Sequence, residues 1–148
     1  MGNKICTSIE QSKKLLKLGI DVNTADMRYG YIAPYDYSDR MFDGGYDEVP
    51  YPKDFLKKNP NFYEDEYDSE LPAWSLTALL DVLPFYLTVN NQIYGFNMMK
   101  GLDKNGETYA IRYTIFNTTF HLHLTDYYND PIDAAFEMIC WLKENNRL

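Results

Sequence analysis

His121 and His123 are the only histidines in the chain, and their i, i+2 spacing on an expected strand sets both imidazoles on one side, about 6 to 7 Å apart. Such a pair has the right chemistry to ligate a divalent metal. A complete site needs a third and a fourth ligand, which would have to be borrowed from carboxylates such as Asp126, so an ordinary half-exposed strand face outranks a metal site. With Arg112 and Thr114 expected beside them, the two histidines instead form a candidate anion patch, because a guanidinium fork matches phosphate in a two-pronged fashion. Arg28, Arg40 and Lys100 are further candidate phosphate contacts, and Tyr29 and Tyr31 are candidate rings for stacking a base. No catalytic residue is assigned. The chain lacks a Gly-x-x-x-x-Gly-Lys loop, a Gly-x-Ser-x-Gly elbow, a His-Glu-x-x-His helix and a Cys-x-x-Cys pair. Glu64, Asp65, Glu66 and Asp68 read as a solvated charge run rather than general acids, so a non-catalytic role is preferred and no cofactor is implied.

The stretch from Arg28 to Glu70 is the chain's most unusual composition. These 43 residues carry eight of the fourteen tyrosines, and eleven acidic side chains against five basic ones. Five minus eleven is −6, out of −8 for the whole chain, so the acidity is regional. Prolines at 34, 50, 52 and 60 and the Gly44-Gly45 pair interrupt periodicity, leaving a short edge strand near Tyr29 to Ile32 and one helical turn at Lys53 to Lys58. A long segment of this kind inside a domain is usually functional or disordered. Tyrosine gives contact area at low entropic cost, which favours a recognition surface over simple packing.

The remainder must position these residues. Overlapping capping boxes, Thr7 with Glu10 and Ser8 with Gln11, start a first helix that Gly19 ends. A second is expected from Pro72 or Ala73 to Leu83, stopped by Pro84, and a third from an Asp130 cap with Pro131 in its first position. Between the second and third lie four strands: Phe85 to Val89, Gln92 to Leu102, Glu107 to Phe116 and Thr119 to Asp126. Asn90-Asn91, Asp103 to Gly106, and Asn117-Thr118 make the turns. With Asn117 and Thr118 as the last loop, Ile115 faces Phe120, Tyr113 faces Leu122 and Ile111 faces Leu124 on the apolar side. Thr114 with His121 and Arg112 with His123 then share the polar side. The expectation is one α+β domain over residues 1–148: an antiparallel four-stranded meander covered on one face by three helices, with the Tyr/acid-rich segment 28–70 inserted between the first two helices.

At 148 residues the chain is long enough for one core that buries roughly 68 to 70% of its unfolded surface. An acidic chain opposes direct binding to a nucleic-acid backbone, though it permits imitation of one. Cys6 and Cys140 are too few for a disulfide framework or a cysteine zinc site. No apolar run reaches the roughly 18 residues of a membrane span, and the first eleven residues have no signal-peptide core, so a cytoplasmic product is expected.

Five short words stand out in order along the chain: Thr7-Ser8-Ile9-Glu10-Gln11-Ser12, Thr24-Ala25-Asp26-Met27, Pro72-Ala73-Trp74-Ser75-Leu76, Asp130-Pro131-Ile132-Asp133-Ala134 and Glu137-Met138-Ile139-Cys140-Trp141-Leu142. Together they resemble a family of small uncharacterised proteins carried by phages and mobile elements of gut anaerobic bacteria. The likeness thins out across residues 31–69 and most of the sheet, and it brings no site residues with it. It implies an accessory product acting inside a bacterial host. The function expected first is a binder that counters host defence by sequestering a nucleotide-derived immune signal. The alternatives are an acidic inhibitor or nucleic-acid mimic that blocks a host protein, and a small metal-dependent hydrolase. A homo-oligomer is open to such a binder, since sites often form between subunits.

Overall fold

A computed structural model describes residues 4–34, 48–64 and 71–148. The chain is α+β, with four α-helices and an antiparallel four-stranded sheet among the described residues. Helix α1 spans Ile9–Lys17. Of the two overlapping capping boxes, the one built on Ser8 forms: its hydroxyl accepts from Gln11 N at 3.1 Å and Gln11 Oε1 accepts from Ser8 N at 2.9 Å. Gly19 follows at φ +85, a left-handed conformation in which a side chain is strained.

Strand β1 (Met27–Gly30) lies between β3 (Val49–Pro52) and β5 (Leu71–Ala73), and β2 (Ile32–Pro34) pairs with β4 (Phe62–Glu64). The expected edge strand around Tyr29 is therefore a central strand. Proline explains the inversion: Pro50, Pro52 and Pro72 lack a backbone donor, so the strands that carry them take the outer positions and β1 fills the middle. The short helix α2 covers Phe55–Lys58, where a single helical turn is expected.

Helix α3 runs from Leu76 to Val82, and its start corrects the sequence reading. Leu71 to Ala73 is strand, and the cap is Ser75, whose hydroxyl accepts from Ala78 N at 3.2 Å. Pro72 belongs to an edge strand rather than a first helical turn, a role that suits proline equally well. Helix α4 (Pro131–Glu144) begins as expected: Asp130 Oδ1 accepts from Ile132 N at 2.9 Å. The N-terminal arm closes over this start. Lys4 N donates to Asp130 Oδ2 at 3.0 Å, and its ammonium lies 2.6 Å from Asp133.

Strands β6 (Tyr86–Val89), β7 (Gln92–Asp103), β8 (Gly106–Thr114) and β9 (His121–Leu124) form the meander in sequence order. Asn90 and Asn91, at φ 52 and 64, make the tight first turn that the sequence suggests. The β8–β9 hairpin departs from expectation. At the turn Thr114 does oppose His121, and Ile115 N donates to Phe120 O. Beyond a bulge the register slips by one residue, so that Tyr113 opposes His123 and Arg112 opposes Leu124. Thr125 fixes the slipped end: its hydroxyl accepts from Ile111 N and its own N–H donates to Ile111 O, each at 2.9 Å. The turn holds one register and Thr125 the other, and the bulge takes up the difference.

Helix α4 packs on β8 and on α3, and α1 packs on β5. The main core joins Leu15, Trp74, Leu79, Ile111, Tyr113, Ile132, Met138, Ile139 and Leu142. Trp74 is fully buried and held at three points. Thr7 N donates to its carbonyl at 2.9 Å, Thr7 Oγ1 accepts from its backbone N–H at 3.1 Å, and its indole N–H reaches Thr24 Oγ1 at 2.9 Å. Tyr113, also buried, donates its hydroxyl to Pro84 O at 2.6 Å. Urea unfolding separates the two contributions. Trp74→Ala is expected to cost about 3 to 5 kcal/mol through the cavity it leaves, and Tyr113→Phe about 0.5 to 1.5 kcal/mol through one hydrogen bond.

Candidate functional site

A cleft of about 520 Å³ opens where β1 meets the 3₁₀ turn Val22–Thr24, lined by Val22, Asn23, Met27, Arg28, Lys53 and Pro72. That volume is in the range of small-ligand sites. The central position of β1 places Arg28 between Tyr51 on β3 and Pro72 on β5. Its guanidinium carbon lies 5.8 Å from the centre of the Tyr51 ring, a cation–π arrangement that orients the fork. Lys53 follows β3 directly. Its N–H donates to Asp26 O at 3.1 Å, and its exposed ammonium reaches Val22 O at 3.5 Å.

The floor of the cleft is tied to the core. Asp21 caps the 3₁₀ turn by accepting from Asn23 N at 2.9 Å, and Thr24 receives the Trp74 indole N–H. Asp26, the acidic residue nearest Arg28 in sequence, is taken up by Ser75, accepting from its N–H and its hydroxyl. The lining brings Arg28 and Lys53 together with the apolar side chains of Val22, Met27 and Pro72, in a chain of net charge −8. This combination suits a small anion with an apolar or aromatic body.

The structure distributes the expected site residues over separate places. Arg28 lines the cleft. Tyr29, its neighbour on β1, donates its hydroxyl to Thr7 O at 2.8 Å and accepts from the Cys6 thiol at 3.7 Å. Burial, and next the Cys6 hydrogen bond, push the Tyr29 phenol up from its ordinary value. Tyr31 is half-buried just after β1. Arg40 lies outside the described residues, as do residues 65–70 of the acidic run. Lys100 sits 3.8 Å from Glu107 and 5.5 Å from the centre of the Tyr109 ring. Arg112 donates through Nε to Asn97 Oδ1 at 3.1 Å across the β7–β8 pair. Lys100, Arg112, His121 and His123 all belong to the four-stranded sheet, and none of them lines the cleft.

The bulge also separates the histidines. His123 opposes buried Tyr113 and so joins the core-facing side, where its ring stacks on Trp141 of α4 at 4.4 Å with planes 3° apart. Leu122 packs on the core as well, while His121 opposes Thr114 and is exposed. The same-side pair flanked by Arg112 is thus replaced by one exposed and one stacked imidazole. Among the described residues no group of three or more His, Cys, Asp or Glu is placed to hold a metal ion, and no helix is long and apolar enough to cross a membrane.

Sequence reasoning missed Lys53 and Asn23. Lys53 comes beside Asp26 only through the β1–β3 pairing, more than twenty residues apart in the chain, and no local pattern announces that pairing.

Burial, and secondly the neighbouring His121, lower the proton affinity of His123, while Asp126 opposes the shift. Its stabilising contribution is complete above about pH 6.5, the ordinary histidine value. It declines as pH falls through the lower folded-state value, because the unfolded chain takes up the proton first. Melting temperature is expected to fall as pH drops below about 6.5, and His123→Phe, which stacks without titrating, to flatten that part of the profile.

Compared with family models, curated proteins and solved structures, the chain matches none.

Proposed function

We propose that this protein is a non-catalytic binder of a small anionic ligand of the nucleotide class. In this reading it is the accessory product of a phage or mobile element, and it counters host defence in the bacterial cytoplasm by sequestering a nucleotide-derived immune signal. The observation that carries the ligand class is the presence of Arg28 and Lys53 in the lining of one cleft together with the apolar side chains of Val22, Met27 and Pro72. Arginine grips phosphate oxygens as a planar fork and lysine adds a mobile point charge, while the apolar side accepts a base or sugar face. The lining offers contact and charge, which suits holding a ligand rather than transforming it.

The same reading takes segment 28–70 as an insertion that brings tyrosines and carboxylates around the cleft. Its frame is α1, α3 and α4 laid over one face of the four-stranded sheet. Isothermal titration of the full chain against cyclic mono- and dinucleotides and ADP-ribose-type nucleotides tests the proposal. One class is expected to bind, with affinity falling as salt rises. Arg28→Ala should weaken it roughly tenfold to a hundredfold, the equivalent of about 1.5 to 3 kcal/mol for a charged hydrogen bond. Arg28→Lys should recover only part of that loss, since a point charge does not reproduce the fork. No heat across the panel from folded protein removes the idea.

A further inference from the structure

Most sheet edges in the described structure carry a feature that discourages pairing with another strand. β3 has Pro50 and Pro52, β5 has Pro72, β2 ends on Pro34, β4 ends on Glu64, and β9 is bulged. β6 has none of these. Its sequence, Tyr86-Leu87-Thr88-Val89, contains no proline and no charge, and its pairing with β7 is regular. The charge-free stretch is much longer than the strand, since no Asp, Glu, Lys or Arg occurs from Val82 to Met99. Around it stand large side chains without cover: Phe85 is 88% exposed, and Tyr86 and Ile93 are each 58% exposed.

The backbone shows which groups the edge offers. Phe96 N donates to Phe85 O at 3.0 Å, so Phe85, Leu87 and Val89 direct their backbone groups toward β7. Tyr86 and Thr88 alternate with them and direct theirs outward. We infer that two copies of this chain join edge to edge through β6, in a two-fold antiparallel pairing centred on Leu87 that fuses the two four-stranded sheets into one.

The register follows from the outward groups. Placing Tyr86 opposite the partner's Thr88 lets the N–H and C=O of both residues bond in both directions. A shift one way brings in Pro84, which has no N–H, and a shift the other way brings in Asn90 at φ 52. In the favoured register Phe85 comes to the partner's Val89, which covers the most exposed ring among the described residues. The outward groups are self-complementary, which makes a second copy of the same edge the occupant: under a two-fold, the N–H and C=O of Tyr86 and Thr88 in each chain are all satisfied. The absence of charged residues from Val82 to Met99 keeps β6 and the first residues of β7 from setting like charges against each other across that pairing, although each chain carries −8.

Sedimentation of the full chain tests this. The wild type is expected at twice its 17.4 kDa mass, and Tyr86→Lys/Thr88→Lys, which sets four like charges across the two-fold, at the single mass. Both replaced side chains are exposed, so circular dichroism and melting should be unchanged. Should the lysines disturb the melt, Thr88→Pro deletes only an outward donor and is judged by the same criterion. Leu102→Lys, at a position 82% exposed beyond the reach of β6, should leave the dimer intact. A monomeric wild type, a folded edge variant that stays dimeric, or dissociation by Leu102→Lys overturns the inference.

Discussion

The structure depends on one buried joint, the double hydrogen bond between Thr7 and Trp74. Thr7 N–H donates to the Trp74 carbonyl while the Thr7 hydroxyl accepts from the Trp74 amide, and the same hydroxyl lies 2.8 Å from Ser12 Oγ inside α1. The Thr7 carbonyl in turn accepts from Tyr29 on β1, and the Trp74 indole bonds Thr24 in the 3₁₀ turn. One pair of residues thereby connects α1, the central strand of the smaller sheet, the turn below the cleft and the main core. Both residues are fully buried, so these polar atoms have no water to replace a lost partner. The joint tolerates little variation, because each of its groups serves two elements at once.

What could be read from the sequence was decided locally. The Ser8–Gln11 box, the Asp130 cap, the Asn90-Asn91 turn and Gly19 each depend on residues within a few positions of one another, and each forms as the pattern implies. The central place of β1 was hidden because it depends on where the prolines of two distant strands go. The slip in β9 was hidden for a similar reason. The alternation of Phe120, Leu122 and Leu124 is regular, and only the bond between Thr125 and Ile111 and the stacking surface of Trp141 show that one residue must be absorbed. Arg28 stood out as a cation, but its companion Lys53 did not, since their proximity is created by strand pairing.

Charge is zoned in this molecule. Acidic residues concentrate between positions 28 and 70, yet the cleft built from part of that segment counts Arg28 and Lys53 in its lining. At the opposite extreme, the stretch from Val82 to Met99 has no charged side chain at all, and its exposed large side chains include Phe85, Tyr86 and Ile93.

The clasp of Lys4 on the start of α4 has a consequence for how the chain acquires its shape. Lys4 meets Asp130 and Asp133 at sequence separations of 126 and 129, and Gln11 reaches the same Asp133 carboxylate at 2.7 Å. On a ribosome the arm emerges long before the helix it grips. The arm must therefore wait unattached while the sheets assemble, and closing so wide a loop is entropically slow. Acquisition of the native state is thus expected to finish after translation has passed α4, with the two distant segments fastening last.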